Sequence, residues 1–107
     1  MIHTEVLRLK TSKELEFIDI TGKIKKSVSK TKVKEGFVNI FSKHTTLAIE
    51  INEYEPRLLK DMEWFMKKII PEKREYFHNN LKLRKNCPKD EPLNAKGHLR
   101  TMIMEIS

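Results

Sequence analysis

The central stretch of the chain, residues 37–51, is FVNIFSKHTTLAIEI. It begins and ends with runs rich in β-branched and aromatic residues, which are typical of buried strands. Between them, the His-Thr-Thr sequence at 44–46 places three hydrogen-bonding side chains in succession. A buried polar group without a partner is costly, so these side chains need partners beside an apolar core. The stretch therefore predicts strands over 37–41 and 47–51, joined by either a satisfied structural kink or a functional site.

The residues upstream of this stretch change their period once. Segments 4–9 and 15–20 alternate apolar and polar side chains, which predicts the two strands of a hairpin. Three apolar residues then recur at every fourth position between lysines: Ile20, Ile24 and Val28. That spacing predicts an amphipathic helix that starts near Thr21, and Gly36 interrupts the pattern.

Downstream of the central stretch, the signals favour helices separated by a long loop. Pro56 suits a first helical turn, where its missing N–H matters little, and Pro71 ends the apolar pattern that follows. Residues 71–92 are polar and irregular, and a loop of this length is usually functional or mobile. Asn94 then predicts the N-cap of a further helix over about 95–104.

The composition is that of one charged domain. The 107 residues include 22 Lys and Arg against 15 Asp and Glu, a net charge of +7, and 38% are hydrophobic. This length predicts a single domain over residues 1–107. No stretch approaches the roughly 20 apolar residues that cross a bilayer, so we expect no membrane partner. The single cysteine, Cys87, and an N-terminus without a secretory signal indicate the cytoplasm.

Two segments hold a local excess of positive charge: 23–34 and 82–89. Basic surfaces bind nucleic acids because neutralising phosphates releases counterions. Neither segment interleaves aromatic residues on which bases could stack. The sequence therefore favours an ordinary solvated surface over a nucleic-acid site.

Three histidines lie in different predicted surroundings: His44 between strands, His78 in the polar loop and His98 on the last helix. Their spacing matches no local metal motif. Three imidazoles nevertheless leave the fourth position of a tetrahedral metal open for water or substrate, as in catalytic zinc sites. The residues alone leave two interpretations open, a metal site or unrelated structural roles.

Two acidic residues are candidates to assist such a site. Glu53 follows a predicted strand and could accept a proton, and Asp61 on the next helix could orient an imidazole. The alternative explanation is structural: an acidic residue near a helix N-terminus is favoured by the helix macrodipole. For Glu53 both interpretations stay open, whereas Asp61 lies too far along its helix to be explained easily that way.

Four elements of the sequence, in this order, resemble the YjbQ-like family, also called the secondary thiamine-phosphate synthase family. The family motifs are an HTT or HTS stretch followed by NE, an LL-x-D helix, a Y-x-H-N/D element and an N-A-x-x-H-L element. The corresponding segments here are FSKHTTLAIEINE at 41–53, RLLKDM at 57–62, YFHN at 76–79 and NAKGHL at 94–99.

The resemblance implies an α+β fold, a single domain with antiparallel or mixed β-sheets packed with helices, in a cytoplasmic homotrimer. It implies that His44, His78 and His98 converge at a divalent metal, with zinc favoured by ligand type and magnesium as the alternative. The activity assigned in the family is a transferase reaction, thiamine-phosphate synthesis. It joins hydroxymethylpyrimidine diphosphate to thiazole phosphate and releases pyrophosphate.

On this interpretation the substrate is a phosphorylated small molecule. Thr45, Thr46 and Asn52 are expected to bind its phosphate groups. Glu53 is the expected general base, and Asp61 is expected to orient an imidazole. The first alternative is a non-catalytic trimer of the same fold that binds a metal or a phosphorylated metabolite. The second, less favoured, is a nucleic-acid-binding module.

The family pattern continues past the end of this chain, with a Gly-Ser-Ser-like turn, further strands and a G-x-W-Q element. Here Glu105-Ile106-Ser107 stands where that turn would begin, and the single tryptophan, Trp64, lies on a predicted helix. We therefore expect a domain without the family's C-terminal strands, which exposes sheet edges and apolar surface. A fragment, a truncated product and a variant completed by a partner are the three explanations left open.

Overall fold

Three α-helices form the regular part of the structure, a computed structural model that describes residues 1–104. They are α1 (Thr21–Thr31), α2 (Pro56–Ile69) and α3 (Ala95–Met104). Two single-turn 3-10 helices lie between α2 and α3: Phe77–Asn79 and Leu81–Leu83. The three helices agree with the sequence prediction, including the start of α1 at Thr21 and of α2 at Pro56.

The chain divides into two compact units, Met1–Ile40 and Phe41–Ser107. The single domain predicted for residues 1–107 stays a prediction. None of the helices in the described range is both long enough and apolar enough to cross a bilayer.

The predicted α+β fold is wrong, because no residue within 1–104 forms a β-strand. The four segments expected as strands are irregular chain: 4–9, 15–20, 37–41 and 47–51. A strand is stable only when its backbone N–H and C=O groups pair with a neighbouring strand, and the described residues supply no such pairing. The expected C-terminal turn at Glu105-Ile106-Ser107 lies outside the described residues.

Helix α1 has a side-chain hydrogen bond at its start and a left-handed residue at its end. The Asp19 side chain accepts a hydrogen bond from the Thr21 N–H at 3.0 Å, just before the first turn. At the other end, Lys32 adopts the left-handed conformation, with a φ of 57°, and its N–H donates to the Ser29 carbonyl. The helix therefore ends before Gly36, which the sequence pattern had suggested as the interruption.

Within the first unit, Glu5 ties the N-terminal segment to α1. The Ser27 hydroxyl donates a hydrogen bond to the Glu5 carboxylate, and Lys30 Nζ lies 3.9 Å from the same group. These polar contacts involve exposed residues, so this attachment is electrostatic and does not create a hydrophobic core.

Helix α2 begins at a carboxylate cap. The two carboxylate oxygens of Glu55 accept the N–H groups of Arg57 and Leu58 at 3.0 and 2.7 Å, and Pro56 occupies the first helical position. An acidic side chain here satisfies backbone donors and favours the positive end of the helix dipole. The helix ends at Ile69, shortly before Pro71, as predicted.

The core of the second unit is small. Met66 on α2, Ile70 just after it, and Ala95 on α3 are the hydrophobic residues that the described structure buries, at 1%, 4% and 4% exposure. The buried hydrophobic residues of this unit therefore lie at the end of α2, just after it and at the start of α3. The loop between α2 and α3, predicted to be irregular, contains the two 3-10 helices and is otherwise irregular. An ion pair between Arg84 and Glu91 at 3.4 Å connects two of its parts.

Candidate histidine site

Two of the three predicted histidines form a pair. The ring centroids of His78 and His98 lie 5.0 Å apart, and the ring planes meet at 89°, an edge-to-face arrangement. His78 belongs to the 3-10 turn Phe77–Asn79, whereas His98 lies near the start of α3. The fold thus brings together two imidazoles that are distant in the sequence.

The residue after His78 explains why the two rings meet. The Asn79 side-chain oxygen accepts a hydrogen bond from the Ala95 N–H at 3.1 Å. The amide side chain of a loop residue therefore caps the first turn of α3, where the helix has unsatisfied N–H groups. Because Asn79 follows His78 and Ala95 precedes His98 by three positions, this bond joins the two segments that carry the paired imidazoles.

Helix α3 has its N-cap residue where the sequence predicts it, but the capping hydrogen bond comes from another side chain. Asn94 stands at the expected position, since its carbonyl accepts the His98 N–H at 3.2 Å. However, its side-chain oxygen is buried without a hydrogen-bond partner among the described residues. The predicted N-cap position at Asn94 is therefore confirmed, while the side chain that bonds to the helix end is that of Asn79, from outside the local sequence.

One nitrogen of the histidine pair is left without a partner. His78 Nε2 is buried and makes no hydrogen bond within the described structure. Buried polar atoms are nearly always satisfied, so such an atom needs an explanation. A bound ion or a hydrogen-bonding ligand would supply the missing partner, and imidazole nitrogens suit both.

His44 is held in a tight polar turn. Its Nδ1 lies 3.2 Å from the Thr46 N–H nitrogen and 2.8 Å from the Thr46 hydroxyl oxygen. The Ser42 hydroxyl accepts the His44 N–H and donates to the His44 carbonyl. Since a backbone N–H can only donate, Nδ1 is an acceptor, and the neutral ring has its proton on Nε2. In this arrangement His44 offers an N–H donor.

The His-Thr-Thr turn lies against α3. A Cβ atom added to Gly97 would come within 3.3 Å of Thr46 Cγ2, so only glycine fits there without displacing a neighbour. The turn that contains His44 is therefore close to the part of α3 that contains His98. Even so, within residues 1–104 no three His, Cys, Asp or Glu side chains are placed to hold a metal ion.

The other predicted site residues lie outside the histidine pair. Thr45, Glu53 and Asp61 are exposed, and in the described range neither acid bonds to a histidine. The Asn52 side chain instead accepts the Glu53 N–H at 2.8 Å, a local turn contact. Their predicted roles in catalysis and phosphate binding remain predictions.

The histidine pair lines an open cleft of about 480 Å³. Sequence reasoning missed two further residues of its wall, Arg74 and Tyr76. The Arg74 guanidinium lies 5.5 Å from the centroid of the Tyr76 ring, and the Tyr76 hydroxyl donates to the Pro71 carbonyl at 2.5 Å. The available signal was the Tyr-x-His spacing, which places Tyr76 two residues before His78.

An ion-pair cluster connects Glu72, which follows α2, with α3. Glu72 accepts a hydrogen bond from Lys96 Nζ at 2.9 Å and lies 3.7 Å from the buried Arg100 guanidinium. The hydrogen bond and charge of Lys96 hold the pKa of the Glu72 carboxyl below its ordinary value, and Arg100 adds to this shift. Lys96 and Arg100 lie on α3, the helix that also carries His98.

Comparisons with known proteins agree on one family. Residues 5–107 match the family described as "UPF0047 protein YjbQ-like". A "UPF0047 protein" of Methanothermobacter thermautotrophicus is 35% identical over 103 residues, which are 96% of this chain and 65% of that protein. One of Archaeoglobus fulgidus is 36% identical over 92% of this chain and 68% of its own length. "UPF0047 protein YugU" of Bacillus subtilis is 39% identical over 54% of this chain and 45% of its own length.

The chain therefore spans about two thirds of the length of the two archaeal relatives, 65% and 68%. The comparison with solved structures found no significant match.

Proposed function

The chain belongs to the YjbQ-like UPF0047 family, and we propose that it is a metal-assisted enzyme acting on phosphorylated small molecules. The proposed reaction is thiamine-phosphate formation, in which hydroxymethylpyrimidine diphosphate and thiazole phosphate are joined and pyrophosphate is released. The observation that carries the proposal is the pair of imidazoles on an open cleft, with His78 Nε2 lacking a partner among the described residues.

The donor set fits a divalent metal in part. His78 and His98 would supply two imidazole nitrogens, and the unsatisfied His78 Nε2 is suited to this. His44 would be the third ligand, but its Nδ1 lone pair is used by Thr46. It would therefore have to exchange its bonds to Thr46 for the metal. Bound zinc or magnesium would supply positive charge that stabilises the departing pyrophosphate.

The remaining roles fall to side chains of this chain. The hydroxyls of Thr45 and Thr46 and the amide of Asn52 would donate hydrogen bonds to phosphate oxygens, on which negative charge grows as the leaving group departs. Glu53 would accept a proton, and Asp61 would orient an imidazole. These assignments rest on the sequence motifs at these positions.

Metal content tests the ligand set. We expect wild-type protein to retain metal, and His78→Ala and His98→Ala to lose it, because each variant removes an imidazole from the pair. His3→Ala is the matched control, since His3 lies outside the second unit. Elemental analysis of the purified proteins gives the ratio of metal to chain. Stoichiometric metal in both pair variants would contradict the ligand set.

An assay of thiamine phosphate from the two precursors tests the reaction. Turnover that disappears in Glu53→Gln would support Glu53 as the general base. Wild-type protein without turnover, under conditions in which metal is bound, would contradict the enzyme proposal.

A second candidate function is a binding protein that does not turn over its ligand. Glu53 and Asp61 are exposed and contact no histidine in residues 1–104. Neither carboxylate is therefore placed to act as a base beside the paired rings, which favours binding without turnover. Binding of the phosphorylated precursors without product formation would support this alternative.

A further inference from the structure

We infer that Arg74 is the anion-recognising residue of the cleft and binds a phosphate group beside the His78–His98 pair. This inference rests on the proposed function for its choice of ligand, a phosphorylated small molecule, and it adds a residue that the sequence motifs do not contain. It starts from the wall of the cleft, where Arg74 and both histidines lie together.

The Arg74 guanidinium is held in place from one face. It lies 5.5 Å from the centroid of the Tyr76 ring, within the range of a cation–π contact. The ring is itself fixed, because the Tyr76 hydroxyl donates a hydrogen bond to the Pro71 carbonyl at 2.5 Å. A guanidinium in such a contact can still donate its N–H groups to a ligand.

The charge of Arg74 is not neutralised within residues 1–104. Arg74 makes no ion pair with a carboxylate there, although Glu75 also lines the cleft. Two other cations of this unit have acidic partners: Arg84 pairs with Glu91, and Lys96 pairs with Glu72. An arginine that is fixed on a ring, faces a cleft and has no acidic partner is suited to binding an anion from solution.

The neighbouring imidazoles specify the kind of anion. A planar guanidinium presents paired N–H groups that match the oxygens of a phosphate. His78 and His98 line the same wall as Arg74, so a ligand with several oxygens can lie against the guanidinium and the imidazole pair together. Pyrophosphate has more oxygens for this than a simple carboxylate, and it is the anion that the proposed reaction releases.

Binding of inorganic pyrophosphate, measured by isothermal titration calorimetry without any turnover, tests the inference. We expect Arg74→Gln to weaken binding by about tenfold or more, as for the loss of a hydrogen bond to a charged group. Arg74→Lys, which keeps the charge but loses the planar fork, is expected to weaken it less. Lys73→Gln is the matched control, because Lys73 is adjacent in the chain but is not part of the cleft wall, and a change below about twofold is expected.

Two further arms make the result specific. Glu75→Gln removes a negative charge from the cleft wall and is expected to tighten pyrophosphate binding. Succinate, a dicarboxylate, is expected to bind more weakly than pyrophosphate. Far-UV circular dichroism establishes that each variant is folded, and Arg74→Lys provides the comparison if Arg74→Gln does not fold.

Three results would overturn the inference: equal weakening by Lys73→Gln and Arg74→Gln, unchanged binding in the Arg74 variants, or wild-type protein that does not bind pyrophosphate. Metal content and turnover of the wild type are measured separately. A protein that retains metal and forms thiamine phosphate while Arg74→Gln binds normally would lose this inference and keep the proposed function. A protein that binds pyrophosphate through Arg74 but shows no turnover would keep this inference and contradict the proposed function.

Discussion

The side chain of Asn79 connects the two elements that hold the paired imidazoles. It follows His78 directly and accepts the Ala95 N–H at the start of α3. The candidate site therefore depends on a capping bond that spans the loop. No local motif reveals such a bond. In the sequence, Asn94 stands at the N-cap position, and its residue type already suggests a capping side chain there.

We expect Asn79→Ala to lower the free energy of unfolding by about 1 kcal/mol, the usual loss when a capping side chain is removed. Asn94→Ala is expected to lower it less, because the Asn94 side-chain oxygen is buried without a hydrogen bond among the described residues. Urea unfolding followed by circular dichroism measures both values. A larger loss for Asn94→Ala would mean that the Asn94 side chain, and not that of Asn79, caps the helix.

Glycine-to-alanine changes at two helical positions distinguish the effect of helix propensity from the effect of steric room for a Cβ atom. Gly22 in α1 has no atom within 4 Å of an added Cβ, so Gly22→Ala is expected to raise the free energy of unfolding by about 0.5 kcal/mol. At Gly97 the same atom would lie 3.3 Å from Thr46 Cγ2. We expect Gly97→Ala to raise the free energy of unfolding by less than Gly22→Ala does, because Thr46 must move. Thermal unfolding compares the two, and equal gains would argue against close packing of the turn on α3.

At the level of elements, local signals predicted the helices well. Pro56 and Pro71 bracket α2, and the four-residue spacing from Ile20 marks α1, since helical hydrogen bonds form within the segment. The strands were predicted from equally clear local patterns, but a strand needs a partner from elsewhere. The paired histidines depend on contacts between elements in the same way, so spacing alone left their roles open.

Glu72 links the end of α2 to α3 and makes stability depend on pH. Its pKa is lowered in the folded state by the Lys96 hydrogen bond and the nearby Arg100 charge. The ionised carboxylate therefore stabilises the fold above the ordinary pKa of glutamate, and this contribution is lost as the pH falls through the lowered pKa.

We expect Glu72→Gln to be less stable than wild type at neutral pH and to lose this deficit in acid, below the lowered pKa. Asp90→Asn is the control, since Asp90 makes no ion pair in the described range. Urea unfolding across a pH series measures the difference. A deficit that persists unchanged in acid would exclude the ion-pair explanation.

On the scale of the whole molecule, many large hydrophobic side chains are exposed, whereas few are buried in the core. Phe37 and Ile51 are 105% and 101% exposed, and Phe41 is 69% exposed. These side chains belong to the segments with strand patterns, where a sheet would have buried them. Soluble monomers rarely leave large apolar patches uncovered, so association is favoured.

We predict that the chain associates in solution, and the proposed state is a homotrimer. Light scattering after size-exclusion chromatography gives the mass as a function of concentration. Phe37→Ser and Ile51→Ser are expected to reduce the associated fraction without changing the helix content, because both side chains are fully exposed. Lys13→Ser, at another exposed position, is the control. A single-chain mass at every concentration would contradict the prediction.

The dependence of the imidazole pair on Asn79 has a consequence for how the protein loses its site. Helix ends fray before helix centres, and α3 begins at the residue that Asn79 holds. Gentle warming would therefore release the Ala95 amide and separate the two rings while most of the helix is still wound. The ring-proton resonances of His78 and His98 would then shift at a lower temperature than the one at which the backbone unfolds. They would report the loss of the paired site before the loss of the fold.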